Sequence, residues 1–293
     1  MSKKWWFRRI LLRIAGMRLP AAVVGMAALF LSGSDARDDR QSAPPAFTEE
    51  FSAPVLDRTR WNVIVTGRTV NNEQQAYVDS PEVLTIDDGM LVIQPRFRPG
   101  FKTPEGRSFD FISGRIDTRD KFSFTYGTAS ARMKLAAGAG LWPAFWALGA
   151  GRWPDTGEID IMENVGDAGW TSVALHGRGY FGDTPLVRRA PLPSDADAAA
   201  WHVYSVDWSA NLLVFSVDGR EIYRVTREMV EKYGRWSFDN PKHLILNLAL
   251  GGNFPASVNK VKAPYHGLPV STVQAIQRNE PRILVDWVRV TGR

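Results

Sequence analysis

Between residues 158 and 163 the chain reads Glu158-Ile159-Asp160-Ile161-Met162-Glu163, and these six residues restrict the fold more than any other stretch. Glu158 and Asp160 alternate with Ile159 and Ile161. That is the period-two pattern of a strand with one polar and one apolar face. Glu163 breaks the rhythm, because it stands at an odd offset from Glu158. One extra residue looped out near Met162, a β-bulge, would return Glu163 to the face of the other two acids, and bulges often re-aim side chains next to active sites. The expectation is a strand with three carboxylates on one face and apolar side chains on the other. Alternating acids also mark ordinary solvated sheet faces, so the rest of the chain has to decide.

That rest reads as many short strands. Asp88-Gly89 sits between apolar runs within residues 83–94, and Asp218-Gly219 sits between Leu212–Val217 and Arg220–Val225. Asp-Gly between alternating segments is a hairpin signal. Residues 130–135, 201–208, 243–250 and 283–290 are further strand candidates. Only residues 226–233 suggest a helix, with Thr226 as N-cap and Gly234 following. With 25 glycines, 18 prolines and 293 residues, the chain is expected to form one all-β domain, a β-sandwich of two antiparallel sheets, over residues 47–293.

The N-terminus differs from this body. Residues 1–36 hold six basic residues (Lys3, Lys4, Arg8, Arg9, Arg13, Arg18) against Asp35 alone. Taking these from the totals of 36 basic and 31 acidic residues leaves 30 of each sign, so the formal charge of +5 lies wholly in the leader. A neutral body offers no electrostatic case for nucleic acid. Leu19–Leu31 is an apolar run of 13 residues, followed by small residues up to Ala36. This describes a secretory signal peptide, cleaved after Ala36, and a secreted or periplasmic protein; left uncleaved, the segment would be a membrane anchor. Ser34 stands where a lipoprotein would carry its lipidated cysteine, and the chain has no cysteine at all. Disulfides, thiolate metal sites and cysteine nucleophiles are therefore excluded. Residues 37–46 form a polar lead-in, and a monomer is expected.

Three acids on one face suit the hydrolysis of a glycosidic bond, which needs one carboxyl to protonate the departing oxygen and another to attack or to activate water. With the bulge discounted, Glu158 and Glu163 lie four steps apart, about 13 Å between Cα atoms. Side chains leaning inward leave the carboxyls about 5 Å apart, the separation of a retaining enzyme. Asp160 between them is expected to keep one glutamate ionised and to raise the pKa of the other. Trp142, Trp146 and Trp153 lie just before the acids and offer faces on which sugar rings stack, or else belong to the core. Trp208 and Trp287, set in apolar strands, are expected in the core.

At this point the residues resemble glycoside hydrolase family 16, and most of all its laminarinase-like endo-β-1,3-glucanases. The blocks that carry the resemblance are Asn71-Asn72-Glu73, Ser113-Gly114-Arg115, residues 140–146, residues 153–163, His176-Gly177, residues 201–208 and residues 245–252, in the family's order. The resemblance implies a curved jelly-roll sandwich with a substrate cleft across its concave sheet, and retaining hydrolysis of a β-glucan polysaccharide or oligosaccharide without a catalytic cofactor. It implies Glu158 as nucleophile, Glu163 as acid/base and Asp160 as the group tuning Glu158. The extra Met162 sorts the chain away from lichenan-cutting members of the family. Asn72, Glu73, Arg115, Trp142, Trp146, Trp153 and His176 would line the glucan subsites. Read alone, Asn72 and Glu73 also fit a polar turn, Arg115 a surface ion pair and His176 a core histidine. The resemblance further implies a structural calcium held by Asp286 and backbone oxygens near Glu50; a backbone-bonded aspartate is the other reading of Asp286. Phe254-Pro255-Ala256-Ser257 and residues 178–189 depart from the family pattern, and both would edge the cleft. The alternatives are the same chemistry on an exopolysaccharide, a mixed-linkage glucan or an algal galactan, and a glycan-binding protein without turnover.

Overall fold

The computed structural model describes residues 46–192 and 197–292. The proposed signal peptide and most of the lead-in lie outside the described residues. Two antiparallel sheets face each other. The front sheet has seven strands, in the order Val187–Pro191, Trp170–His176, Glu158–Glu163, Leu141–Gly149, Lys242–Leu250, Arg115–Asp117 and Asn62–Val63. The back sheet runs Arg220–Thr226, Leu212–Val217, Trp201–Trp208, Gly127–Lys134, Ile283–Thr291, Met90–Ile93 and Leu84–Asp87, with Phe47–Glu49 added beside Ile283–Thr291. A small third sheet, absent from the sequence expectation, joins Gln75–Tyr77, Ser108–Ser113 and Arg96–Lys102; its first pair is parallel.

Alternation explains the back sheet. Gly127–Lys134, Trp201–Trp208 and Leu212–Val217 each bury every second residue. Both hairpins turn at the expected Asp-Gly pairs, where Asp88, Gly89, Asp218 and Gly219 all take positive φ, as this turn requires. The front strands are different. Lys242–Leu250 is buried along its whole length, so both of its faces are covered. The core between the sheets joins Phe145, Ile159, Ile161, Met162 and Leu246 from the front to Met133, Tyr204, Phe215, Val285 and Val288 from the back.

Three expectations need correcting. The helix at 226–233 is shorter, Arg227–Glu231, although Thr226 does cap it by accepting from the Met229 N–H. Asn253–Asn259 and Val270–Gln277 are helices as well. Pro255 falls in the first turn of its helix, where the missing N–H has no partner to lose. Trp208 is fully buried, but Trp287 is not in the core. The register slips between Val285 and Trp287, leaving Asp286 unpaired, and Trp287 lies half-buried under the Arg289 guanidinium, 4.3 Å from its ring centroid.

Candidate active site

The acid strand starts from a constrained turn. Gly157 has φ +72°, and a Cβ there would lie 2.3 Å from the Ser237 carbonyl oxygen, so only glycine fits. The fully buried Lys242 fastens the same turn by donating to the carbonyl oxygens of Thr156 (2.7 Å) and Ser237 (3.1 Å) and to Asn240 Oδ1 (3.0 Å).

From there Glu158 pairs with Leu148, Asp160 with Trp146, Met162 with Phe145 and Glu163 with Ala144. Ile161 is therefore the residue without a partner on that side, one place before the position expected. The span from Glu158 to Glu163 faces four steps of the neighbouring strand, about 13 Å. Ile161 and Met162 both go into the core, and all three acids keep the opposite face.

Burial dominates the electrostatics of this face. Glu158 is pushed up to about 8 by burial first and then by the Asp160 charge, against the opposing pull of His176 and the Trp153 N–H. Glu163 is likewise pushed up to about 8, by burial and then Asp160, against the Trp142 N–H and His176. Burial alone lifts Asp160 to about 8. Asp160 thus raises both glutamates rather than splitting them. The imidazole Nε2 of His176 lies 3.2 Å from Asp160 Oδ2 and 3.9 Å from Glu158 Oε1. A ligand atom from each of these three residues lies within 4.8 Å of the others, a spacing that could hold a cation.

The tryptophans do more than offer faces. Trp142 Nε1 donates to Glu163 Oε1 and Trp153 Nε1 to Glu158 Oε2, both at 2.9 Å, so each glutamate has its own indole donor. Trp146 Nε1 donates to Asn247 Oδ1 at 2.8 Å. Asn247 Nδ2 donates to the Tyr77 hydroxyl at 3.2 Å, and Gln75 Nε2 donates to Glu73 Oε2 at 2.8 Å. The Tyr77 hydroxyl itself lies 3.4 Å from Glu73 Oε2. Burial holds Glu73 above the usual carboxylate range, opposed by Gln75, Arg115 and Tyr77. The Arg115 guanidinium lies 4.9 Å from the Trp146 ring centroid. Asn72 reaches the other way, donating to Asn253 Oδ1 at 2.8 Å. The structure therefore gathers Glu158, Asp160, Glu163, Trp142, Trp153 and His176 around the acids. Trp146, Arg115 and Glu73 form an adjoining polar network.

Sequence reasoning missed Asn247, Tyr77 and Phe181. Asn247 lies within residues 245–252, flanked by leucines, and its even offset from Ile245 is the available signal. Phe181 is 52% exposed and meets the 44%-exposed Trp153 edge to face at 5.4 Å, making an aromatic wall beyond Glu158.

The Asp286 carboxylate, expected to hold calcium together with backbone oxygens near Glu50, does not fit that ion. Asp286 Oδ2 receives Arg132 Nη1 at 2.6 Å, and Glu50 Oε1 receives Arg289 at 2.9 Å. Two guanidinium groups supply the positive charge that a cation would bring, and they would repel one.

A β-sandwich carrying one buried and two half-buried carboxyls on one bulged strand, walled by tryptophans, defines a glycoside hydrolase. Residues 59–267 match the model of glycosyl hydrolases family 16, and the chain belongs to that family. It is 32% identical over 234 residues to a beta-glucanase of Rhodothermus marinus, covering 75% of this chain and 80% of that protein. The laminarinase catalytic domain from Thermotoga maritima superposes with a TM-score of 0.73 at 30% identity, over 85% of this chain and 98% of that one. The endo-beta-1,3-glucanase from Pyrococcus furiosus gives a TM-score of 0.74 at 30% identity, over 85% and 94%.

Proposed function

We infer that this chain is a retaining endo-glycosidase that hydrolyses internal β-1,3 linkages of β-glucans by double displacement. The observation that carries this reading is the row of three desolvated carboxyls whose two glutamates each accept an indole N–H. The family membership and the glucanase names of the similar proteins support the substrate.

Glu158 is the nucleophile. It pairs across the sheet with His176, which opposes the rise that burial imposes on the Glu158 carboxyl. Glu163 stands at the far end of the row, opposite Ser172, and holds the proton. As the Glu158 carboxylate attacks the anomeric carbon, Glu163 protonates the departing glycosidic oxygen. Now ionised, Glu163 takes a proton from the water that releases the glycosyl-enzyme. Asp160 keeps the pair from ionising together, since its charge raises both. Trp142, Trp146 and Trp153 bind the sugar, with Asn72, Glu73 and Arg115 at the adjoining subsites. We further propose that residues 47–293 act as one catalytic domain, as an exported monomer.

The test is Glu158→Ala with laminarin. Hydrolysis should vanish while the circular dichroism spectrum is kept. The wild-type enzyme should release a product that is initially β by NMR; an initially α product would contradict retention.

A further inference from the structure

The two segments that depart from the family pattern meet at one residue, Arg189. It lies on the edge strand of the front sheet, where it pairs with Ser172, which in turn pairs with Glu163. Residues directly opposite on neighbouring strands share a face. Arg189 therefore stands on the acid-bearing face two strands from Glu163, about 10 Å away. Its guanidinium lies 4.9 Å from the Trp170 ring centroid and 5.5 Å from that of Phe254. Phe254 packs edge-on against Trp142, the indole that donates to Glu163. A cation thus bridges two aromatic walls at the Glu163 end of the cleft.

What marks this cation is that two aromatic rings hold it with no carboxylate beside it among the described residues. Arg58, Arg98, Arg224 and Arg278 are each neutralised by an acid. Among the described residues no carboxylate pairs with Arg189, which touches only π faces and is exposed. Ring faces orient a guanidinium without using up its N–H donors, leaving its fork free for a planar anion. A neutral glucan has nothing to match that charge.

We propose that Arg189, flanked by Trp170 and Phe254, is a subsite for a carboxylate-bearing sugar unit, and that the preferred substrate is an acidic β-glucan-like polysaccharide. The rings hold the guanidinium in place, and the guanidinium forms paired charge-assisted hydrogen bonds to the sugar carboxylate. This rests on the endo-glycosidase reading above and narrows its substrate.

The experiment compares laminarin oligosaccharides with the same oligosaccharides partly oxidised at C6 to uronates. Hydrolysis is measured for the wild type, Arg189→Gln and Arg189→Lys, and binding for the same set in a Glu158→Gln background. The wild type should favour the carboxylated chains about tenfold, mainly through KM, as one charge-assisted contact allows. The preference should shrink as salt is raised. It should disappear in Arg189→Gln and survive in part in Arg189→Lys. Equal treatment of the two probes by the wild type, or an undiminished preference in Arg189→Gln, overturns the proposal. If neither probe is cleaved, the glycosidase reading fails, and the binding arm still decides the role of Arg189.

Discussion

The two sheets each contain a bulge, and the two bulges work in opposite senses. In the front sheet the unpaired residue is Ile161, and Ile161 and Met162 both enter the core while acids flank them outside. In the back-sheet strand Ile283–Thr291 the unpaired residue is Asp286, and Asp286 and Trp287 are both only half-buried while Val285 and Val288 enter the core. The device is the same, a doubled residue on one face. The outcome differs with what is doubled. Doubling apolar residues inward leaves the front carboxyls dry, with indole N–H groups and one histidine for company. Doubling outward puts Asp286 where Arg132 neutralises it at 2.6 Å. The Asp286 carboxyl has a guanidinium partner; the three front carboxyls are raised first by burial, which favours the protonated form. Proton transfer can only come from the second kind.

The sharpest way to break this contrast is to disable one acid on each side. Glu163→Gln should cut hydrolysis of laminarin by about 10³-fold, within the usual range for a lost general acid. An aryl glucoside with an acidic leaving group should suffer far less, because it departs without a proton. Asp286→Asn should change neither rate by more than about twofold. Next in size, Asp160→Asn should lower kcat by about 10²-fold and move the alkaline limb of the pH profile to lower pH, since the charge that raises both glutamates is gone. If that limb stayed in place, the coupling inferred for this face would be wrong.

The bulged residues themselves separate on stability. Ile161→Ala should cost about 2–4 kcal/mol by denaturant unfolding, as the loss of a fully buried aliphatic chain does. Asp286→Ala should cost about 1 kcal/mol or less, the worth of a half-exposed ion pair.

A separate test is the pH dependence of melting. Glu158, Asp160 and Glu163 are all raised from ordinary carboxylate values to about 8 in the folded state. The fold therefore binds more protons than the unfolded chain between about pH 4 and pH 8, and stability falls as pH rises through that window. Melting temperature should decline from pH 5 to pH 8.5. Asp160→Asn should flatten the decline.

Much of the front bulge was legible because it depends on parity. Three acids and three apolar residues can share a strand only with one residue out of step, and the alternation located that residue to within one position. The hairpins were legible for a similar reason, since Asp-Gly states its backbone requirement locally. The helix Val270–Gln277 was not, because Val270, Thr272, Val273 and Ile276 suit a strand equally well and only packing decides. The indole donors were hidden too. A tryptophan near an acid is visible in sequence, but which edge it presents depends on its rotamer. Arg189 was the hardest to see, because its meaning lies in the missing acid, and its partners Trp170 and Phe254 come from distant parts of the chain.

The buried ammonium of Lys242 has one more consequence. By clamping the Thr156 and Ser237 carbonyls it joins the turn before the acid strand to Lys242–Leu250, the strand two places along the sheet that carries Asn247. The floor beneath Glu158 and the Trp146–Asn247 contact are thus parts of one frame. Substrate accommodation then has to be asymmetric: the frame sets the position of the bond to be cut, and the exposed tip at Phe181–Asp183 is the part left to yield as a polysaccharide threads past.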